Sequence, residues 1–177
     1  MIQGFEAFKK VSIKDISYDQ SSKEHMSMSK YEALNFDEIK DNFMKDLSKN
    51  SIYCKSTLSS NDGIFVKNDE IYFIEFKNGK IFDNKKSIKL KSKEMIYYKI
   101  LYSIFIFLSY HSNYRKEKMN YILVYNKHKN SDRAINKCLK NYAKEKAIFL
   151  DLSFFEERYF KKTYCFDQDS FEKFINS

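Results

Sequence analysis

The chain has 177 residues, 43% of them hydrophobic and 18% aromatic, which excludes a disordered or fibrous chain and suits a single domain over residues 1–177. Lys and Arg number 32 against 24 Asp and Glu, a net +8 that favours polyanionic partners, nucleic acid first among them. Cys54, Cys138 and Cys165 are odd in number and lack the paired spacings of disulfide frameworks and zinc sites, so a reducing cytoplasm is the expected setting.

Met1 to Ser29 is mixed and Ser-rich; Gly4 to Lys10 reads as a short helix and Ser21 to Ser29 as loop. Charged residues such as Glu6, Lys9, Lys14 and Asp15 interrupt any apolar stretch there, so no signal peptide is expected. Asn35 with Glu38 three residues on is a cap pair, and Phe36, Ile39, Phe43 and Leu47 then predict a helix over 36–48. Ser51 to Leu58 alternates as a half-buried strand does. Gly63–Val66 and Ile71–Phe76 are β-rich runs joined by polar turn residues, a hairpin that Asn78-Gly79 ends. After a Lys-rich connection, Ser92 caps a helix over 93–110 whose apolar residues cover nearly its whole circumference, as in a helix buried against a sheet. Its apolar run, Met95 to Tyr110, is too short for a bilayer span and carries Lys99, so no membrane is expected. Tyr121–Tyr125 reads as a strand, Asp132–Lys146 as an amphipathic helix, Ala147–Leu152 and Tyr159–Phe166 as strands, and Ser170–Ile175 as a last helix. The mixture predicts an α/β sandwich, three-layer-like, with a central mixed sheet.

The segment Asp62 to Lys77, DGIFVKNDEIYFIEFK, carries the chemistry. A turn centred between Asn68 and Asp69 sets Asp62 opposite Glu75, and alternation puts Lys77 on the Glu75 face and Phe76 on the other. Cross-strand neighbours are ~5 Å apart at Cβ, close enough for two carboxylates to share a divalent cation. A hard cation such as Mg²⁺ could then be held by Asp62, Glu75 and the backbone carbonyl of Phe76, with Lys77 orienting or stabilising the attacking water. The bland alternative is a solvated Glu–Lys pair beside a turn aspartate, but Ile71, Phe73 and Ile74 make this strand central, where unpaired charges are costly.

Asp62, a 12-residue gap and then Glu75-Phe76-Lys77 after an apolar strand resemble the active-site signature of the PD-(D/E)XK nuclease superfamily. Asn61 stands where that pattern has proline. The resemblance implies a restriction-endonuclease-like core, α-β-β-β-α-β, over about 35–125, with C-terminal αβ additions over about 130–177. It implies an enzyme that hydrolyses phosphodiester bonds in DNA with Mg²⁺ or Mn²⁺, Asp62, Glu75 and Lys77 being catalytic. The alternative is an inactive nuclease-fold domain that binds nucleic acid, RNA included, or a protein, and a homodimer or protein partner stays open. Members often add an acidic residue from the first helix; Glu32 and Glu38 are the choices, with Glu32 preferred for the metal.

Lys99 and Ser103 share a face of the long helix and could reach the site or a phosphate, although a snorkelling Lys99 is the preferred reading. Glu94 suits the helix dipole better than a metal. Lys80, Lys85, Lys86, Lys89, Lys91 and Lys93 form a candidate DNA-backbone surface, or a solvated charge run. His25, His111 and His128 are isolated, and no phosphate-binding glycine loop is present.

Overall fold

A computed structural model describes residues 2, 4–50, 58–81, 90–111, 115–130 and 152–177. In chain order these form β1 (Lys10–Ser12), α1 (Ile13–Ile16), β2 (Tyr18–Asp19), β3 (Glu24–His25), β4 (Glu32–Asn35), α2 (Phe36–Asn50), β5 (Gly63–Lys67), β6 (Glu70–Lys77) and α3 (Leu90–Tyr110). A 3₁₀ turn (Lys116–Lys118), β7 (Met119–Tyr125), α4 (Ser153–Arg158), β8 (Lys162–Asp167) and α5 (Gln168–Asn176) follow.

Six strands make one mixed sheet in the order β1-β4-β5-β6-β7-β8. Pairing is antiparallel from β1 to β6 and parallel for β6–β7 and β7–β8. β7, MNYILVY, is buried at all seven residues, as a strand with parallel neighbours on both sides and helices on both faces must be. Ile39 and Phe43 of α2, Ile100 and Phe107 of α3 and Phe155 of α4 pack with Phe73, Tyr121 and Leu123 on one face. Ile13 of α1 and Phe171 and Ile175 of α5 pack with Tyr72, Ile74, Ile122 and Val124 on the other. The molecule is thus a three-layer α/β sandwich.

The hairpin turn has left-handed backbone at Asn68 (φ 51°) and Asp69 (φ 61°), the residue types that tolerate it. It fixes Gly63 against Ile74 and Phe65 against Tyr72, the expected register. α2 begins where Asn35 Oδ1 accepts the Asp37 N–H (3.0 Å), so the cap at Asn35 is as expected.

Several expectations are corrected. Residues 4–9 form turns rather than a helix, and Lys10 enters β1; the segment tucks against the end of α3, where a Cβ on Gly4 would lie 2.1 Å from the Tyr110 carbonyl oxygen. Part of the expected 21–29 loop is β3. Ser92 lies inside α3, which begins at Leu90. That helix is not covered all round: Met95, Tyr98, Leu101, Phe105 and Leu108 are 40–55% exposed. Among the described residues no helix is long and apolar enough to cross a membrane. The strand beside β5 is β4, which precedes α2, whereas the expected core places it after the helix. Of the strand expected at 51–58 all but Leu58 lies outside the described residues, as do the 132–146 helix and residues 147–151, and Leu58 is not in a strand. Tyr159 ends α4, so β8 starts later than expected, at Lys162.

Candidate functional site

Asp62 sits where the ladder of β5 and β6 runs out, and three hydrogen bonds fix it. Its N–H donates to the Ile74 carbonyl (3.0 Å), its own carbonyl accepts the Phe36 N–H at the start of α2 (3.1 Å), and its Oδ2 accepts the Phe76 N–H (2.6 Å). The first of these falls outside the hairpin register, which ends with Gly63 against Ile74: Asp62 and Gly63 both face Ile74, as in a bulge, and it is the side-chain bond to Phe76 and the shared Lys99 that bring Asp62 beside Glu75. Ser103 Oγ accepts the N–H of the preceding Asn61 (2.8 Å), so α3 anchors the same loop. Because N–H and C=O of one strand residue point to the same edge, the Phe76 carbonyl is directed toward Asp62 as well.

The two carboxylates share one cation, the ammonium of Lys99. Its Nζ lies 2.7 and 2.8 Å from the two oxygens of Glu75 and 3.2 Å from Asp62 Oδ1. End to end those contacts put the carboxylates within about 6 Å of each other, a separation that a single oxygen-bound ion bridges. The Glu75 side chain is 4% exposed, those of Asp62 and Lys99 21% and 22%. Burial first, and then the charge of Asp62, push the Glu75 carboxyl up to about 8, against the pull of Lys99 and Lys77. Burial also raises Asp62. For Lys99 burial works downward, but Glu75 and Asp62 together hold its ammonium above the ordinary lysine range.

Lys77 follows on the same face of β6, and its carbonyl accepts the Asn126 N–H (3.1 Å) beyond β7. Asp62, Glu75, Lys77 and Lys99 line one cavity of about 350 Å³ at the C-terminal end of β6. Tyr18 and Asp19 of β2 line it too. The β2–β3 hairpin is tied there by Asn78, whose Nδ2 donates to Asp19 Oδ2 (2.7 Å) and Ser22 Oγ (2.5 Å). Asn126 Nδ2 and Lys129 Nζ in turn donate to Asn78 Oδ1 (2.6 and 3.1 Å). Donation from Ser21 first, and from Asn78 next against burial, holds the Asp19 carboxyl well below the usual carboxylate range.

No family model, no curated protein and no solved structure matches this chain. The site is therefore read from its own geometry.

The remaining sequence candidates are dispersed. Glu32 lies at the far end of β4 and pairs with Lys10 (2.8 Å), so it does not join Asp62 and Glu75; antiparallel pairing puts it three residues from the end of β4 that meets Gly63. Glu38 is exposed on α2. The acidic side chain of that helix nearest the site is Asp37, bonded to Ser60 Oγ (2.7 Å) and Lys40 (2.8 Å), and its charge adds to the upward push on Asp62. Lys99 does not snorkel to solvent; it reaches the carboxylates. Lys80 and Lys91 are exposed, Lys93 sits over the Tyr97 ring (5.5 Å), and Lys85, Lys86 and Lys89 lie outside the described residues. Among the described residues no group of three or more His, Cys, Asp or Glu side chains is placed to hold a metal, which leaves two carboxylates and a carbonyl. That set fits a hard ion such as Mg²⁺, which takes one or two carboxylates and completes its shell with water and phosphate oxygens. The fully buried Asn61 side chain, whose amide N and O find no partner, and the unpartnered Tyr121 hydroxyl complete the interior surroundings. Neither was legible in the pattern of the sequence.

Proposed function

We propose that this chain is a metal-dependent nuclease of the PD-(D/E)XK type, hydrolysing phosphodiester bonds in DNA. The observation that carries the reading is the sharing of one cation by Asp62 and Glu75 across the hairpin, with Lys77 two residues on along the same face. Asp62 Oδ1, the Glu75 carboxylate and the Phe76 carbonyl would hold Mg²⁺ or Mn²⁺. Bound there, such an ion polarises a phosphate oxygen and lowers the pKa of water. The Phe76 N–H holds Asp62 Oδ2 and leaves Oδ1 toward the shared cation. Lys77 positions and stabilises the attacking oxygen, and Lys99, once moved off the carboxylate oxygens, supplies positive charge to the phosphate.

The second reading, a domain that keeps the fold without catalysis, is favoured by one observation: the Lys99 ammonium already bridges the two carboxyl groups. Cleavage of single-stranded, double-stranded and nicked DNA with Mg²⁺ or Mn²⁺, abolished by chelation, separates the two. Glu75→Ala is expected to lower the rate by orders of magnitude, and Lys77→Ala to keep metal binding but lose most of the rate, with circular dichroism unchanged. Absence of cleavage on every substrate and metal transfers the assignment to the second reading; activity that survives Glu75→Ala locates the chemistry elsewhere.

A further inference from the structure

We infer that Tyr18 is a stacking platform for a nucleobase and that the site accepts an unpaired strand; the inference rests on the nuclease reading and names its substrate class. The β2–β3 hairpin has two residue pairs, Tyr18 with His25 and Asp19 with Glu24, far too few to hold itself together in water. Its base is held by the Met26 N–H on the Ser17 carbonyl (3.1 Å), and its tip by the Asn78 hub, which directly follows Lys77 and binds Asp19 and Ser22, together with the ion pair of Glu24 and Lys129 (3.3 Å). The catalytic strand and the hairpin are therefore tied at one point, and Tyr18 is positioned relative to Lys77 rather than carried on a loose loop.

Tyr18 is 44% exposed, lines the same cavity as the carboxylates, and rests against the His25 ring (centroids 4.8 Å apart, planes at 46°). His25 Nδ1 is bonded to the Lys14 carbonyl (2.9 Å), which fixes the ring that supports the tyrosine. The hydroxyl-bearing ring thus lies at the rim of a polar, cation-lined cleft. At about 350 Å³ that cleft is near the lower end of ligand-sized cavities and has room for about one nucleotide. A base inside a duplex is stacked on both faces and paired at its edge, so only an unpaired base can lay a face on Tyr18.

The test is fluorescence anisotropy with the full chain, Ca²⁺ replacing Mg²⁺ to suppress cleavage, on an unpaired oligonucleotide and on a blunt duplex of the same sequence. The unpaired strand is expected to bind more tightly. Tyr18→Ala should weaken that binding by about 5- to 100-fold, as loss of one stacked base does, and leave duplex binding unchanged; Tyr18→Phe should keep it. Abasic sites in the oligonucleotide should cost the wild-type protein a similar factor and cost Tyr18→Ala little, an arm that needs no folded variant for its first half. Equal binding of duplex and single strand, or an unchanged affinity in Tyr18→Ala, overturns the platform. If Mg²⁺-dependent cleavage persists in that case, the nuclease reading stands and the substrate class falls; if the protein neither binds nor cuts DNA, both fall together.

Discussion

At Glu75 the carboxyl sits up at about 8 in the folded chain against 4.5 ordinarily, because it is buried beside Asp62. Between those values the native state holds a proton that the unfolded chain has released, so stability falls as pH rises through the window and levels off above it. Urea midpoints from pH 5 to 8 should show this decline in the wild type and a flatter profile in Glu75→Gln; depressed carboxylates such as Asp19 act only at more acidic pH. Lys99→Met removes the cation that both carboxyl groups share, and a loss of about 3 kcal/mol is expected at neutral pH, since it leaves the Asp62 carboxylate without its ion-pair partner beside a buried Glu75 carboxyl. Millimolar Mg²⁺ should restore more stability to Lys99→Met than it adds to the wild type, a comparison read from urea midpoints with and without the metal. Asn61→Leu exchanges an unsatisfied buried amide for an apolar side chain of similar shape and should raise stability by about 1 kcal/mol. Asp62, Glu75 and Lys77 were legible because strand alternation and a two-residue turn fix their relative positions. Lys99 was not, because helical spacing alone cannot say whether a lysine runs along a helix toward water or across it toward a carboxylate. Asp37 was hidden for a related reason: its proximity to the site depends on the Asp62 carbonyl meeting the first N–H of α2, a contact between segments 26 residues apart.

Among the elements, the β5–β6 hairpin depends on two consecutive left-handed residues. Asp69→Val puts a β-branched side chain at φ 61° and removes the ion pair to Lys118; a loss of about 1–2 kcal/mol is expected, measured by thermal or urea unfolding. This turn could be placed from sequence because Asn and Asp tolerate that backbone and apolar runs flank them. β1 and β4 could not, being three and four residues long, too short for alternation to declare itself. The sequence of β4 also runs straight into the cap and apolar spacing of α2, with no turn between them to mark a separate strand. α4 was missed in the same way: six residues, SFFEER, carry no helical periodicity, and Phe155 reveals its inward face only once β8 lies beneath it. The apolar circumference of α3 was read as that of a helix buried against a sheet, and one flank stays exposed, since hydrophobicity reports what can be buried and not how many neighbours arrive to cover it.

For the whole molecule, the three-layer sandwich followed from the mixture of strands and helices, whereas the sheet order depends on pairings between distant segments that local pattern does not encode. The net charge of +8 is the coarse feature on which the proposed DNA substrate can be tested. DNA affinity should fall steeply with salt, and replacing Lys85, Lys86 and Lys89 together by Ala should reduce the slope of log affinity against log salt by about 2 to 3, if all three meet phosphates. An unchanged slope would place the binding surface elsewhere. β7 has a different consequence. With every residue buried and a parallel neighbour on either side, its amide protons have no local route to solvent, so in D₂O they should exchange only when the entire chain opens. The slowest of them are then a clock for global unfolding, while the two-pair ladder of β2 and β3 should exchange far sooner and report how often the rim of the cleft comes loose.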